Sequence, residues 1–192
     1  WYSGKKKINY EQAVAYDRVF RFEERDSFYK MLHYVYLMDV YIAVARVAKE
    51  RGFAFASVCP GERNVLKIKG AFHPFLKKPK GNTLEVDENS NVIFLTGANM
   101  AGKSTLMKSF GIAVYMAHMG FPVAARSMRF TVQDGMYTSI NVPDNINMGY
   151  SHFYAEVLRV KKVAIEVSLS KRLVVIFDEL FKGTNVKDAY DA

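Results

Sequence analysis

The sequence predicts a mixed α/β fold that contains a phosphate-binding loop and follows a long α-helix. Three observations support this prediction. The second half of the chain alternates short apolar runs, typical of strands, with segments of helical periodicity. A glycine-containing loop at residues 97–104 lies between one apolar run and one helical segment. Residues 24–51 lack Gly and Pro and carry apolar residues at helical spacing.

Length and composition predict a globular chain with two parts. Its 192 residues are 50% hydrophobic, enough for one ordinary domain and a smaller appendage. We expect residues 1–52 to form a partial helical segment and residues 53–192 a P-loop domain truncated at its C terminus. The most apolar helical run, residues 110–119, is shorter than the roughly 18 to 20 residues that span a bilayer, so no membrane partner is expected. The single Cys59 favours a reducing compartment, the cytoplasm.

The basic composition permits a nucleic-acid partner without showing one. The formal net charge is +8, and lysines cluster at residues 5–7 and again at Lys77, Lys78 and Lys80. Basic runs of this size are more often solvated surface than a phosphate-binding stripe. The role of these clusters stays open at this point.

The individual elements follow from periodicity and from breaks in it. Breaks at residues 73–74 and 81–82 separate the short runs after the first helix. The predicted strands are residues 65–68, 84–86, 92–95, 130–132, 136–140 and 173–177. The predicted helices after residue 51 are residues 104–119 and 153–168. Such alternation is typical of a sheet with helices on its faces.

A phosphate-binding motif of the form G-x-x-x-x-G-K-S/T occupies residues 97–104. Glycines allow the backbone to fold tightly around a phosphate, and the following helix N-terminus carries about half a positive charge. Lys103 is expected to reach the β- and γ-phosphates, and the Ser104 hydroxyl to bind Mg²⁺. The predicted nucleotide-binding residues are Gly97, Ala98, Asn99, Met100, Ala101, Gly102, Lys103, Ser104 and Thr105.

Two adjacent acids, Asp178 and Glu179, end the apolar run at residues 173–177. An entirely apolar strand is typical of a central position covered on both faces, and ligands of open α/β sheets bind at the carboxyl ends of such strands. Asp178 is therefore a candidate for the Mg²⁺ shell, and Glu179 a candidate for polarising the water that attacks the γ-phosphate. The alternative is that the pair only caps a following helix.

Four segments, in order along the chain, resemble motifs of the MutS family. Residues 96–105, TGANMAGKST, are similar to its TGPNMxGKST, and residues 178–184, DELFKGT, to its DE-x-x-x-GT. Residues 120–125 and 149–156 resemble its G-x-x-VPA and G-x-ST-F-x-x-E segments. Ala98 replaces the usual Pro, and His152 the usual Thr. The adenine-stacking aromatic residue of relatives has no clear counterpart.

The resemblance implies an ATPase domain of the ABC class, with ATP and Mg²⁺ as cofactors and with Lys103 and Glu179 as catalytic residues. It implies that Ser151 approaches the γ-phosphate bound to a neighbouring subunit, so that each site is shared across a homodimer or a dimer with a related subunit. It also implies that residues 24–51 end a lever helix, and that double-stranded DNA is bound mostly by parts of the protein outside this chain.

Other functions fit parts of the sequence. An ATPase head of a chromosome-maintenance or DNA-end-processing protein would have a similar entering helix. Its signature segment is usually rich in glycine, however, and residues 149–152, GYSH, are not. A module that senses ATP without turnover would not need Glu179. A small-molecule kinase would give no role to residues 178–184 or to the long helix.

Overall fold

The chain consists of two compact units in the computed structural model, Trp1–Val47 and Ala48–Ala192. The structure describes residues 8–61, 64–140, 152–169 and 171–180. Its helices and strands together form a mixed α/β protein, as predicted. The assignment of a helical segment to residues 1–52 and of a P-loop domain to residues 53–192 stays a prediction.

The first unit is helical. Helix α1, Tyr10–Arg18, begins after a capping box in which the Asn9 side chain accepts a hydrogen bond from the Gln12 N–H at 2.8 Å. A π-helical turn, Val19–Glu23, follows. Helix α2, Arg25–Arg51, then runs for 27 residues, which agrees with the helix predicted over residues 24–51.

Helix α2 is long and apolar enough, by length and composition, to cross a membrane. The expectation that no apolar helical run is long enough to span a bilayer is therefore wrong by these two criteria. A single helix that meets these criteria is weak evidence for a crossing. Asp39 lies near the middle of α2, where a charged side chain would cost about 2.5 to 3.5 kcal/mol in a bilayer. The sequence of α2 therefore disfavours a membrane crossing.

The second unit contains a four-stranded mixed sheet and a two-stranded parallel sheet. The strands of the first, in spatial order, are β1 (Ser57–Val58), β4 (Ser127–Phe130), β2 (Val65–Ala71) and β3 (Asn82–Asp87). Strand β2 is antiparallel to both of its neighbours, and β1 is parallel to β4. The second sheet pairs β5 (Gly135–Ser139) with β6 (Leu173–Phe177).

The core forms between the sheets and helix α3, Lys103–His118. Strands β2 and β4 contribute the residues that alternation directs to one face, among them Ile68, Met128 and Phe130, each at most 2% exposed. Strand β6 contributes Val174 and Ile176. Helix α4, His152–Ser168, buries Val163 and Glu156. Residues 122–125, within the segment that resembles G-x-x-VPA, are also buried, so this segment belongs to the packed interior.

The predicted strand at residues 92–95 is absent from the structure. These residues have no regular secondary structure, and the side chains of Val92 and Phe94 are 71% and 88% exposed. The prediction was wrong because an apolar run indicates only that a segment suits burial. A strand also needs a partner for its backbone hydrogen bonds, and among the described residues β6 pairs with β5 alone. The strand predicted at residues 130–132 is displaced to Ser127–Phe130.

The same substitution at two isoleucines should therefore have different effects on stability. Ile68 is fully buried, whereas Ile93 is 48% exposed. We expect Ile68→Val to lower the free energy of unfolding by about 0.5 to 1.5 kcal/mol, and Ile93→Val to change it by less than about 0.5 kcal/mol. Urea unfolding followed by circular dichroism measures both. An equal loss at Ile93 would show that residues 92–95 are packed, as their apolar pattern predicts.

Candidate phosphate and metal site

The loop at residues 97–102 has an unusual backbone conformation. Met100 and Gly102 have φ angles of 61° and 92°, in the left-handed region. A Cβ at Gly102 would meet no atom within 4 Å, so backbone conformation, and not lack of space, favours glycine there. Met100 adopts a similar conformation despite its side chain, which is fully exposed, and such strain is typical of functional loops.

Helix α3 begins directly after this loop, at Lys103, with Gly102 as its N-cap. No side chain caps the helix, and its first turn contains no acidic residue. The first N–H groups of a helix have no partner within the helix, and the helix dipole makes this end partially positive. This end of α3 is therefore suited to an anion.

The ammonium group of Lys103 folds back over the loop. Its Nζ donates hydrogen bonds to the backbone carbonyls of Gly97 at 2.7 Å and of Ala98 at 2.9 Å. The Ala101 N–H also donates to the Ala98 carbonyl, at 3.2 Å. These contacts hold the cation against the backbone of residues 97–98, close to the start of α3.

Two candidate metal ligands that are far apart in sequence are in contact. The Ser104 hydroxyl donates to Oδ2 of Asp178 at 2.7 Å, and the pair is partly buried. Hydroxyl and carboxylate oxygens are among the ligands that Mg²⁺ uses in phosphate sites. No cluster of three or more His, Cys, Asp or Glu side chains occurs among the described residues. A pair of protein oxygens suits Mg²⁺, which usually keeps several waters and phosphate oxygens as its remaining ligands.

Glu179 lies at the surface next to this pair. It is exposed, and its φ of 50° places a non-glycine residue in the left-handed region. Such a conformation costs on the order of 1 to 3 kcal/mol and persists where the surrounding structure requires it. The chain therefore turns sharply at the end of β6, and the two acids that are adjacent in sequence occupy different environments.

Two residues that position the site lie outside the predicted motifs. Ser139, the last residue of β5, is buried, and its carbonyl accepts a hydrogen bond from the Asp178 N–H at 2.9 Å. A Cβ at Gly111 in α3 would lie 3.2 Å from Cδ1 of Ile176 in β6. A glycine at this point lets α3 approach β6 closely, which brings Ser104 to Asp178. A glycine inside a helical pattern is the signal that could have indicated this contact.

Some predicted residues are not brought together. Ser151 and residues 181–184, the end of the segment that resembles DE-x-x-x-GT, lie outside the described residues. Asn99 and Met100 lie in the exposed loop, and Thr105 is exposed on the first turn of α3. The roles predicted for these residues stay predictions.

Comparisons with known proteins agree on one family. The profile of MutS domain V matches residues 93–191, just over half of the chain. The DNA mismatch repair protein MutS of Fusobacterium nucleatum is 31% identical over 169 residues, or 85% of this chain and 18% of the relative. The proteins of the same name from Phocaeicola vulgatus and Lactococcus lactis are 35% and 32% identical, each over 79% of this chain and 18% of the relative.

The chain thus spans about a fifth of the length of the curated relatives that it matches. The match of the domain profile includes the loop at residues 97–104 and the Asp178–Glu179 pair. The chain therefore belongs to the MutS family.

Proposed function

We propose that this chain is the ATP-binding and ATP-hydrolysing part of a MutS-type DNA repair or DNA-structure-recognition protein, with a P-loop fold of the ABC-ATPase class. The observation that carries the proposal is the hydrogen bond between Ser104 and Asp178, which lie 74 residues apart in the chain. It joins the helix that follows the glycine-containing loop to the acid that ends β6. This is the arrangement that a Mg²⁺-nucleotide site requires.

The loop and the start of α3 bind the phosphates in this proposal. Backbone N–H groups of residues 97–105 donate to phosphate oxygens, supported by the helix dipole. The Lys103 ammonium exchanges its two carbonyl partners for the β- and γ-phosphates. Since both carbonyls belong to the loop itself, Lys103 is held beside the phosphate position before nucleotide binds, and little side-chain rearrangement is needed.

Mg²⁺ would be held by Ser104 and, directly or through water, by Asp178. When bound, it neutralises charge on the β- and γ-phosphates. The backbone hydrogen bond from Asp178 to Ser139 positions the backbone that carries the carboxylate. The close packing of Gly111 on Ile176 positions α3 and therefore Ser104. Glu179 orients and polarises the attacking water, for which an exposed carboxylate beside the metal pair is suited.

The rest of the proposal rests on the motifs that resemble those of the MutS family, and the name of the relatives refers to DNA mismatch repair. Nucleotide state changes how two ATPase domains dock, in a homodimer or with a related subunit, and Ser151 of one subunit completes the site of the other. Helix α2 carries the change toward a DNA-binding region outside this chain, in the cytoplasm. Membership in the MutS family favours this function over a chromosome-maintenance ATPase head. The alternative is a module that senses nucleotide without hydrolysing it. Substitution of Glu179 tests this alternative.

The metal pair can be tested with one substitution at two positions. Asp178→Asn removes the charge that attracts Mg²⁺, and Asp87→Asn makes the same change in an exposed turn, where Asp87 accepts from the N–H groups of Asn89 and Ser90. We expect Mg²⁺ to strengthen nucleotide binding by the full-length protein and by Asp87→Asn. This gain should fall by about 10- to 100-fold in Asp178→Asn, since an interaction with a charged group contributes about 1.5 to 3 kcal/mol.

The measurement is equilibrium titration with a fluorescent ATP analogue, in Mg²⁺ and in EDTA. Circular dichroism melting of each variant controls for folding. An unchanged gain from Mg²⁺ in Asp178→Asn would contradict the metal site, and no nucleotide binding by the wild-type protein would contradict the proposed function as a whole.

A further inference from the structure

The four-stranded sheet has a basic outer face. Along β2 and β4 the buried residues Leu66, Ile68, Met128 and Phe130 alternate with Lys67, Lys69, Ser127 and Arg129. Because alternate side chains of a strand point to opposite faces, Lys67, Lys69 and Arg129 all project away from the core. We name these three residues, together with the adjacent Arg126, the basic sheet face.

The four cations are adjacent in space. Lys67 and Arg129 are direct partners across β2 and β4, and Lys69 pairs with Ser127 two residues further along. A Cβ at Gly70 would lie 3.0 Å from Cγ of Arg126, so the Arg126 side chain passes directly over β2. Like charges directly opposite on neighbouring strands are destabilising. The pair therefore costs stability to the extent that nearby anions do not offset the repulsion.

Among the described residues, only one of these four cations forms a salt bridge. Lys67 forms an exposed salt bridge with Glu85 of β3, with an N–O distance of 3.1 Å. Among the described residues, Lys69, Arg126 and Arg129 form no salt bridge.

The nearby acids Asp87 and Glu88 lie at the C-terminal end of β3, which is the end farther from Lys69 and Arg126. There the Asp87 carboxylate accepts from the Asn89 and Ser90 N–H groups, and the Glu88 carboxylate accepts from the Asn64 N–H. The cations Lys69 and Arg126 thus lie toward the other end of the sheet from Asp87 and Glu88, with the Lys67–Glu85 pair between them.

A cluster of lysines lies next to the end of the sheet that carries Lys69 and Arg126. The connection between β2 and β3 carries Lys77, Lys78 and Lys80, all exposed. It returns to the sheet at Gly81, where an added Cβ would lie 3.0 Å from the Gly70 Cα. The connection therefore begins and ends beside Lys69 and Arg126. The lysines that the sequence alone left without a role adjoin the basic sheet face.

We propose that the basic sheet face binds the sugar-phosphate backbone of double-stranded DNA without reading its sequence. The backbone positions of these residues are about 5 Å apart across strands and about 7 Å apart along β2, so their long side chains can reach successive phosphates of one strand. The small donors Ser57 and Ser127 lie among them. The outward positions of the four strands carry no aromatic residue for stacking on bases. This suits an intact duplex and its backbone.

This inference is independent of the proposed ATPase function, because none of its residues belongs to the phosphate and metal site. The test compares two double variants of the full-length protein with equal charge loss. Lys69→Gln with Arg129→Gln alters the basic sheet face, and Arg159→Gln with Lys161→Gln alters exposed positions of α4. Fluorescence anisotropy with a fully paired 30-base-pair duplex, from 50 to 200 mM salt, measures affinity and its salt dependence.

We expect the sheet-face variant to bind the duplex more weakly. The slope of log K against log salt concentration should become shallower by about 0.9 for each phosphate contact that is lost. The α4 variant should behave as wild type. Equal weakening in both variants, or no change in slope in the sheet-face variant, would overturn the proposal. So would weakened binding of labelled polyglutamate with unchanged binding of the duplex, which would indicate an acidic protein as the partner.

A second measurement locates the contact and controls for folding. Lysine acetylation followed by mass spectrometry should show Lys69 protected by duplex DNA at low salt, and Lys161 modified equally with and without it. The melting temperature of the sheet-face variant should stay equal to wild type or rise, since the substitution removes repulsion between Lys67 and Arg129. Equal acetylation of Lys69 with and without DNA would overturn the proposal.

Discussion

Replacing Glu179 by Gln is expected to lower ATP turnover by the full-length protein by about 10²- to 10⁴-fold, the usual contribution of a general base. Nucleotide binding should be retained, because Gln keeps the size of the side chain and leaves Lys103, Ser104 and Asp178 unchanged. The variant should therefore accumulate in the ATP-bound state. Gln also has no better access than Glu to the left-handed conformation at φ 50°, so the substitution does not change the backbone strain at this position.

Steady-state phosphate release measures this effect, and filter binding of labelled ATP after gel filtration detects the trapped state. Glu50→Gln, at an exposed position of α2, is the matched control and should turn over ATP as wild type does. Near-normal phosphate release by Glu179→Gln would refute the role of Glu179. No turnover by the wild-type protein would favour a module that senses nucleotide without hydrolysis.

Replacing Lys103 by Ala is expected to weaken nucleotide binding by about 10- to 100-fold, because a hydrogen bond to a charged group contributes about 1.5 to 3 kcal/mol. The substitution also removes the bonds from Nζ to the Gly97 and Ala98 carbonyls. Lys103→Gln separates these two effects, since its amide can still donate to a carbonyl but carries no charge. Both variants should bind nucleotide weakly if the charge is what matters.

Titration with a fluorescent ATP analogue measures these affinities. Lys108→Ala, on the same helix, provides the matched control and should bind with wild-type affinity. If Lys103→Gln binds as wild type while Lys103→Ala does not, the lysine acts by holding the loop closed and not as a phosphate ligand. If both bind as wild type, residues 97–105 are not the phosphate site.

Local sequence determined those elements whose pattern is complete within one segment. The long run without Gly or Pro gave α2, and the uniformly apolar run at residues 173–177 is β6. The G-x-x-x-x-G-K-S pattern located the loop and the start of α3, because glycine is needed where the backbone turns to positive φ and the helix can begin only after it. The residue types of Asp178 and Ser104 indicated metal chemistry without showing that they meet.

Tertiary structure decided everything that depends on a distant partner. Residues 92–95 have the composition of a central strand and yet pair with no neighbour among the described residues, since a strand exists only through hydrogen bonds that another segment supplies.

The contact between Ser104 and Asp178 depends on the approach of α3 to β6 at Gly111 and on the bond from Asp178 to Ser139, neither of which a linear pattern contains. The basic sheet face likewise arises from register, because Lys67 and Arg129 are 62 positions apart in the chain and become neighbours only when β2 pairs with β4.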